Sequence, residues 1–160
     1  MVILFLKNLA FTIIAPGTVA GLIPWWITRS DATELLPFVI VGITLIGIGA
    51  AIYLWCVWDF ATFGRGTPAP IDAPKKLVVR GLYRYTRNPM YVGVLTALAG
   101  WAVMYLSEEV LAYGLCAFVA VHLFVVLYEE PHLRRVFGSE YKRYLSQTPR
   151  WLPTRNPASR

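Results

Sequence analysis

The sequence predicts an all-α integral membrane protein with about four transmembrane helices plus a C-terminal amphipathic helix. Hydrophobic residues make up 57% of the 160 residues and charged residues 15%, and the mean hydropathy is +0.54. Soluble domains average about 45–50% apolar and about 25% charged residues. We therefore expect a single domain, residues 1–160, whose surroundings are largely lipid.

Four apolar segments approach the ~20 residues that a helix needs to cross the bilayer core. The predicted spans are residues 2–23, 35–58, 90–106 and 110–128. The second and fourth contain no Lys, Arg, Asp or Glu. The first contains Lys7 and Pro16, so the alternatives are a kinked helix, a re-entrant segment or a cleaved signal peptide. The third and fourth are separated only by residues 107–109, which predicts a tight helical hairpin.

Basic residues alternate between the connections and thereby orient the chain. Six Lys and Arg lie between Arg65 and Arg87 and seven lie from Arg134 onward, whereas the hairpin turn has none. Because positive residues favour the cytoplasmic side, both termini are expected there, in a plasma or prokaryotic inner membrane. The net charge of +6 is then explained by topology and by attraction to anionic membrane lipids, and no nucleic-acid partner is expected.

Two cytoplasmic segments break the apolar pattern. Residues 59–89 form a Gly- and Pro-rich loop, and a connection of this length in so small a protein is typical of a functional segment. Residues 131–147 are predicted to form the amphipathic helix, on the cytoplasmic leaflet or folded over the loop, with a membrane anchor as the simpler alternative. Its apolar positions are Leu133, Val136, Phe137, Tyr141, Tyr144 and Leu145.

A helix start is predicted where the loop meets the third span. Asn88 is a favourable N-cap residue, and Pro89 suits the first helical turn because its missing N–H would have no partner there. Free N–H groups at a helix start attract anions such as carboxylates, and Arg84 and Arg87 would strengthen the positive potential. Capping together with arginines that extend to the interface is the structural alternative.

Polar residues near the end of the fourth span are candidates for ligand contacts. Glu129 and Glu130 need cationic partners, either arginines or groups on a ligand, and Pro131 predicts a kink or a restart of the helix that would direct them into a cleft. His122 lies two helical turns earlier on nearly the same face, where it would line a cavity or bond to a neighbouring helix. The two cysteines lie inside spans without ligand spacing, so no metal site is expected.

The order of these motifs resembles the isoprenylcysteine carboxyl methyltransferase and phospholipid methyltransferase superfamily. The resemblance covers most of residues 60–153, and it is the combination of motifs that is specific. It is carried by Gly64 to Pro70, Leu77 to Tyr91, the pair Glu129 and Glu130, and Phe137 to Tyr144. One departure is Asn88, because family members that methylate prenylcysteine typically have His at this position; this weakens the substrate assignment more than the cofactor assignment.

The resemblance implies an S-adenosylmethionine-dependent methyltransferase that holds its cofactor on the cytoplasmic side and receives a lipophilic acceptor from the bilayer. The implied catalytic residues are Glu129, Arg134 and Arg135, with an Arg orienting an acceptor carboxylate or a Glu removing a proton from an acceptor amine. The expected cofactor-binding residues are Tyr83, Arg87, Asn88, Pro89, Tyr91, His122, Glu129 and Glu130. The short chain suggests a prokaryotic relative.

Two other functions remain open from the sequence. Sterol reductases have a similar Arg-x-Pro-x-Tyr and Glu-Glu arrangement and bind a nicotinamide cofactor, although they are much longer. A non-catalytic membrane accessory protein with the same fold is the third possibility. The expected partners are a lipophilic small molecule or lipid and the membrane lipids, while the acceptor and the oligomeric state are not specified by the sequence.

Overall fold

The computed structural model describes residues 10, 12, 14–32, 35–64 and 77–152, and these residues contain helices and turns but no strand. The all-α prediction is therefore confirmed for the described part of the chain. The main helices are α1 (Thr18–Thr28), α2 (Leu36–Asp59), α3 (Pro89–Tyr105), α4 (Glu108–Phe124) and α5 (Glu130–Gln147). Short π-helical turns occupy Thr18–Leu22, Phe60–Gly64 and Val125–Glu129, and a 3-10 helix occupies Gly81–Arg84.

Two helical segments are long and apolar enough to cross a membrane, Leu36–Phe63 with 28 residues and Glu108–Gln147 with 40. Only 17% and 11% of their most apolar windows are buried inside the protein. Such exposed apolar faces would be unfavourable in water, which supports a lipid environment. Helices α1 and α3 are apolar but shorter, so the prediction of four spans stays a prediction. In the first predicted span, residues 2–23, most of the residues that precede Ile14 lie outside the described part of the chain.

Glycines allow α2 and α3 to pack closely. A Cβ atom added to Gly93 of α3 would lie 2.7 Å from the carbonyl oxygen of Gly49 in α2. One added to Gly100 would lie 2.7 Å from the carbonyl oxygen of Gly42. Any side chain at these positions would push the helices apart, and small residues commonly permit such close contact between membrane helices.

The segment before α3 is attached to the end of α2. Arg80 forms an ion pair with the buried Asp59, with 3.1 Å between Nε and Oδ1. This contact directs Tyr83 into the protein, where it packs with Cys56 and Met90. The predicted loop of residues 59–89 begins later than expected, because the helical conformation of α2 continues to Gly64. Residues 65–76 of this loop lie outside the described residues.

At Pro131 the structure shows no break of the helix, but a π-helical turn directly before it and the start of α5 at Glu130. Helix α4 continues through the π-helical turn Val125–Glu129 into α5, and Pro131 lies in the first turn of α5. The π turn is wider than an α-helical turn, so it provides space for the proline ring. It also reduces the number of carbonyl groups in the preceding turn that would otherwise need a hydrogen bond from the N–H that proline lacks. The bend occurs instead at Gly138, whose backbone angles are φ 52° and ψ −119°. The amphipathic helix is therefore divided there.

Gly138→Ala should destabilise the protein, because only glycine adopts these backbone angles at low cost. Among the described residues, no atom outside the local helix backbone lies within 4 Å of a Cβ added there, so the loss would come from backbone strain, about 1–3 kcal/mol. The measurement is the thermal unfolding midpoint in detergent. Gly47→Ala is the matched control, because Gly47 is also in open space but has helical backbone angles, and it should leave the midpoint unchanged or raise it. Equal midpoints for the two variants would contradict the assignment of strain to Gly138.

Candidate functional site

A cavity of about 100 Å³ lies where the ends of α2 and α4, the beginning of α3 and helix α5 meet. Its wall combines aromatic rings with two carboxylates and a guanidinium. The lining residues are Phe60, Leu77, Val78, Tyr83, Arg87, Asn88, Tyr91, Phe124, Val125, Tyr128, Glu129, Glu130, His132, Leu133, Tyr141 and Tyr144. The structure thus brings together six of the predicted cofactor-binding residues, although they lie far apart in the chain.

Glu129 is the carboxylate that remains available for a ligand. Tyr91 donates a hydrogen bond from its hydroxyl to Oε2 of Glu129 at 3.1 Å, and among the described residues it is the one donor to this carboxylate. Burial raises the pKa of Glu129, the Tyr91 hydrogen bond opposes this rise, and the neighbouring Glu130 adds to it. A carboxylate has about four acceptor positions, so Glu129 can accept further hydrogen bonds or receive a proton.

Glu130 is instead occupied by arginines. Arg87 contacts Oε1 at 3.0 Å, while Arg150 contacts Oε1 through Nε at 2.7 Å and Oε2 through Nη2 at 3.1 Å. Arg134 is 3.7 Å from Oε2. Burial is the largest single influence on the pKa of Glu130 and raises it, but the Arg150 hydrogen bond and the three positive charges together lower the pKa below its usual value. Glu130 therefore stays ionised and organises the site.

The beginning of α3 differs from the prediction in one respect. Asn88 occupies the N-cap position, but its side chain makes no capping hydrogen bond. Its Nδ2 atom donates instead to the carbonyl oxygen of Arg150 at 3.0 Å, because the chain after α5 passes directly beside it. Pro89 is buried at the first position of the helix. The first N–H groups of α3 are therefore not capped by the Asn88 side chain.

The basic side of the cavity has an unpaired donor. The Nε atom of Arg87 is buried and has no hydrogen-bond partner among the described residues. Since unpaired buried donors are unfavourable, this N–H marks a position where an anionic or acceptor group of a ligand would be stabilised. Arg87 and Glu129 together present one donor and one acceptor function in the same cavity.

Four predicted site residues, Pro89, His122, Arg134 and Arg135, are not part of the cavity wall. His122 accepts a hydrogen bond at Nδ1 from Nε1 of Trp151 at 3.1 Å and packs against Phe118, so its predicted role in the cavity is not supported by its position. Arg134 is exposed and lies 3.7 Å from Oε2 of Glu130, and Arg135 is exposed on α5. Both arginines lie on the helix that forms the cavity wall, but their side chains are not part of the wall.

Several wall residues were missed by sequence reasoning. Phe124, Tyr128 and His132 stack along the α4–α5 junction with ring centroids 5.2 Å and 6.0 Å apart. Their four-residue spacing was visible in the sequence and could have indicated a common face. The hydroxyl of Tyr144 donates to the carbonyl oxygen of Tyr83 at 2.7 Å, a contact that no sequence pattern indicates.

Comparison with known proteins decides the family. The phospholipid methyltransferase family profile matches residues 37–140, which include the beginning of α3 and the Glu129–Glu130 pair. The chain belongs to the phospholipid methyltransferase family. This confirms the resemblance stated from the motifs and places the chain in a family of membrane methyltransferases.

Individual relatives of this phospholipid methyltransferase family member divide into two groups by name. Protein-S-isoprenylcysteine O-methyltransferase B of Arabidopsis thaliana is 28% identical over 159 residues, 96% of this chain and 71% of that protein. A probable protein-S-isoprenylcysteine O-methyltransferase of Oryza sativa subsp. indica is 32% identical over 71% of this chain and 60% of its own length. Phosphatidylethanolamine N-methyltransferase of Paracoccidioides lutzii is 29% identical over 45% of this chain but only 7% of its own length.

Glu130→Gln should lower stability near neutral pH, because it leaves Arg87 and Arg150 without their carboxylate. Breaking a buried pair of this kind costs about 3 kcal/mol or more. A carboxyl group whose pKa is lowered by folding stabilises the protein at pH values above its unfolded pKa of about 4.3. This stabilisation is lost as the pH falls through the lower pKa of the folded state. The difference between wild type and variant should therefore be largest near pH 7 and shrink below about pH 4.

Unfolding midpoints measured in detergent across this pH range would check the prediction. Glu140→Gln is the control, because Glu140 is exposed on the same helix. A difference between wild type and Glu130→Gln that stays constant with pH would show that the ionised carboxylate is not the source of the stability.

Proposed function

We propose that this protein transfers a methyl group from S-adenosylmethionine to a lipophilic acceptor that reaches the cavity from the bilayer. The observation that carries the proposal is that one aromatic-walled cavity is lined both by Glu129, which has free acceptor capacity, and by Arg87, whose buried Nε has no hydrogen-bond partner among the described residues. The cavity also lies at the end of an apolar helix. Membership of a methyltransferase family supports the reaction type.

The donor and acceptor groups of the cavity fit the cofactor. S-adenosylmethionine supplies a methyl group that is already activated by its sulfonium, together with a carboxylate, an ammonium group, ribose hydroxyls and an adenine ring. Glu129 would bind the ammonium or the hydroxyls, and Arg87 with the first N–H groups of α3 would bind the carboxylate. Aromatic residues such as Tyr83 and Tyr128 would provide surfaces for the adenine.

The protein's own contribution would be to bind, orient and exclude water. The Tyr91 hydroxyl fixes the orientation of Glu129, and the carboxylate of Glu130 holds Arg87 through the 3.0 Å contact between Oε1 and Nη1. Positioning of the reactants in a site shielded from water accounts for much of the catalysis expected when the donor group is already activated.

The acceptor would approach along the exposed aromatic side of the α4–α5 junction. Phe124 and Tyr128 are 37% and 47% exposed and also line the cavity, so they form a wall between the cavity and the surroundings of the apolar helix. An acceptor amine would give its proton to Glu129, whose raised pKa suits a base. An acceptor carboxylate would meet Arg134 or Arg135 only outside the cavity wall, on the exposed side of α5. In this arrangement both termini and the cavity lie on the cytoplasmic side.

Glu129→Gln should weaken S-adenosylmethionine binding at least tenfold while the protein stays folded. Loss of a charge-assisted hydrogen bond costs about 1.5–3 kcal/mol, which corresponds to roughly tenfold or more in affinity. Isothermal titration with S-adenosylmethionine in nanodiscs would measure this, with Glu140→Gln as the control that removes the same charge from the exposed face of α5. If Glu129→Gln and the control bound S-adenosylmethionine with equal affinity, Glu129 would not be a cofactor-binding residue.

Titration of the wild-type protein with S-adenosylmethionine and with NADPH separates the candidate functions. We expect heat of binding for S-adenosylmethionine and none for NADPH. Binding of NADPH instead would favour the reductase alternative, and binding of neither would favour an accessory protein. Incubation with labelled S-adenosylmethionine and either S-farnesylcysteine or phosphatidylethanolamine vesicles, followed by mass spectrometry of the products, would then identify the acceptor class.

A further inference from the structure

We propose that the segment after α5, residues 148–152, positions the cofactor-binding end of the cavity, with Arg150 as its positioning residue. We call this segment the C-terminal strap. The inference rests on the proposed function, because it assigns to the strap the arrangement of groups that would bind S-adenosylmethionine. Neither Arg150 nor Trp151 lies within the residues 37–140 that match the family profile.

The backbone of the strap binds the segment that leads into α3. The N–H of Arg87 donates to the carbonyl oxygen of Pro149 at 2.9 Å. The carbonyl oxygen of Arg150 accepts two hydrogen bonds, from Oγ1 of Thr86 at 3.0 Å and from Nδ2 of Asn88 at 3.0 Å. Three consecutive residues before α3 are thus held by two consecutive residues of the strap.

The side chain of Arg150 acts on the same place through Glu130. Its Nε lies 2.7 Å from Oε1 of Glu130, the oxygen that also accepts from Nη1 of Arg87 at 3.0 Å, and its Nη2 holds Oε2 at 3.1 Å. Two contacts from one guanidinium fix the plane of the carboxylate. Because this carboxylate in turn holds Arg87, Arg150 sets the position of Arg87 without lining the cavity itself.

Arg150 also determines the charge that the cavity presents. Glu129 and Glu130 are adjacent, and the three arginines offset the charge of Glu130, which leaves Glu129 as the carboxylate with free acceptor capacity. Without Arg150, the remaining contacts are one from Arg87 and a 3.7 Å approach from the exposed Arg134. Glu130 would then be free to turn and Arg87 to leave the wall.

Trp151 anchors the strap to a third helix. Its Nε1 donates to Nδ1 of His122 at 3.1 Å, and its ring centroid lies 5.3 Å from that of Phe118. This contact gives His122 a role outside the cavity and keeps the strap against α4. The strap therefore joins the beginning of α3, helix α4 and the beginning of α5 in one arrangement.

The test uses the full chain in nanodiscs and compares Arg150→Gln with Arg150→Lys. S-adenosylmethionine affinity is measured by titration, and amide hydrogen exchange of residues 86–92 is measured without ligand. Arg143→Gln is the matched control, because Arg143 is an exposed arginine of α5 whose loss removes the same charge. We expect at least tenfold weaker binding and faster exchange in residues 86–92 for Arg150→Gln, partial recovery of both for Arg150→Lys, and wild-type values for Arg143→Gln.

Two results would overturn the inference. One is wild-type affinity for S-adenosylmethionine in Arg150→Gln. The other is a combination of two observations: amide exchange in Arg150→Gln is faster throughout α2 and α3, which would indicate general unfolding, and a folded Arg150→Lys binds with wild-type affinity. If wild-type protein shows no heat with S-adenosylmethionine, the proposed function fails. The exchange data then decide the strap separately, since faster exchange confined to residues 86–92 supports it and unchanged exchange overturns it.

Discussion

The site depends on the buried carboxylate of Glu130. Only 4% of this residue is exposed, and its two oxygens receive Arg87 from the beginning of α3 and Arg150 from the C-terminal strap. A buried charge without partners would be strongly destabilising, so the segments that supply the arginines must converge on it. The beginning of α5, the beginning of α3 and the C-terminal strap are therefore held together at Glu130, and this contact is the meeting point beside which the cavity lies. Glu129, the preceding residue, is left with Tyr91 and with capacity for a ligand.

The helices place this meeting point at the end of apolar segments. Close packing of α2 against α3 at Gly49 and Gly93 leaves no space for side chains between them, whereas the outer faces of α2 and α4 are exposed and apolar. The chemistry-bearing residues are consequently displaced to the ends of the helices, where charged groups are far less costly than in the bilayer centre. The π turn Val125–Glu129 and the bend at Gly138 then direct the carboxylates and the tyrosines of α5 toward the same cavity. This arrangement suits a soluble cofactor and a lipophilic acceptor that meet at the membrane surface.

The predictions succeeded where chemistry is local and failed where partners are distant. Helical structure and the start of α3 at Pro89 follow from apolar length and proline geometry. Asn88 occupies the predicted N-cap position, but its side chain does not cap the helix, because its amide donates to the carbonyl oxygen of Arg150, a residue 62 positions away. The helix passes Pro131 through a π turn without a break, and His122 accepts a hydrogen bond from Trp151, which belongs to a segment that follows α5.

By itself the sequence determined the all-helical class, the long apolar segments, the clusters of basic residues and the motif order that identifies the family. These properties depend on composition, on periodicity and on residues near one another in the chain. Only the tertiary structure decided which of two adjacent glutamates is paired with arginines and which keeps free acceptor positions in the cavity. The reason is physical: two neighbouring carboxylates are equivalent in a sequence, and they differ only when the fold brings Tyr91 to one and Arg87 and Arg150 to the other.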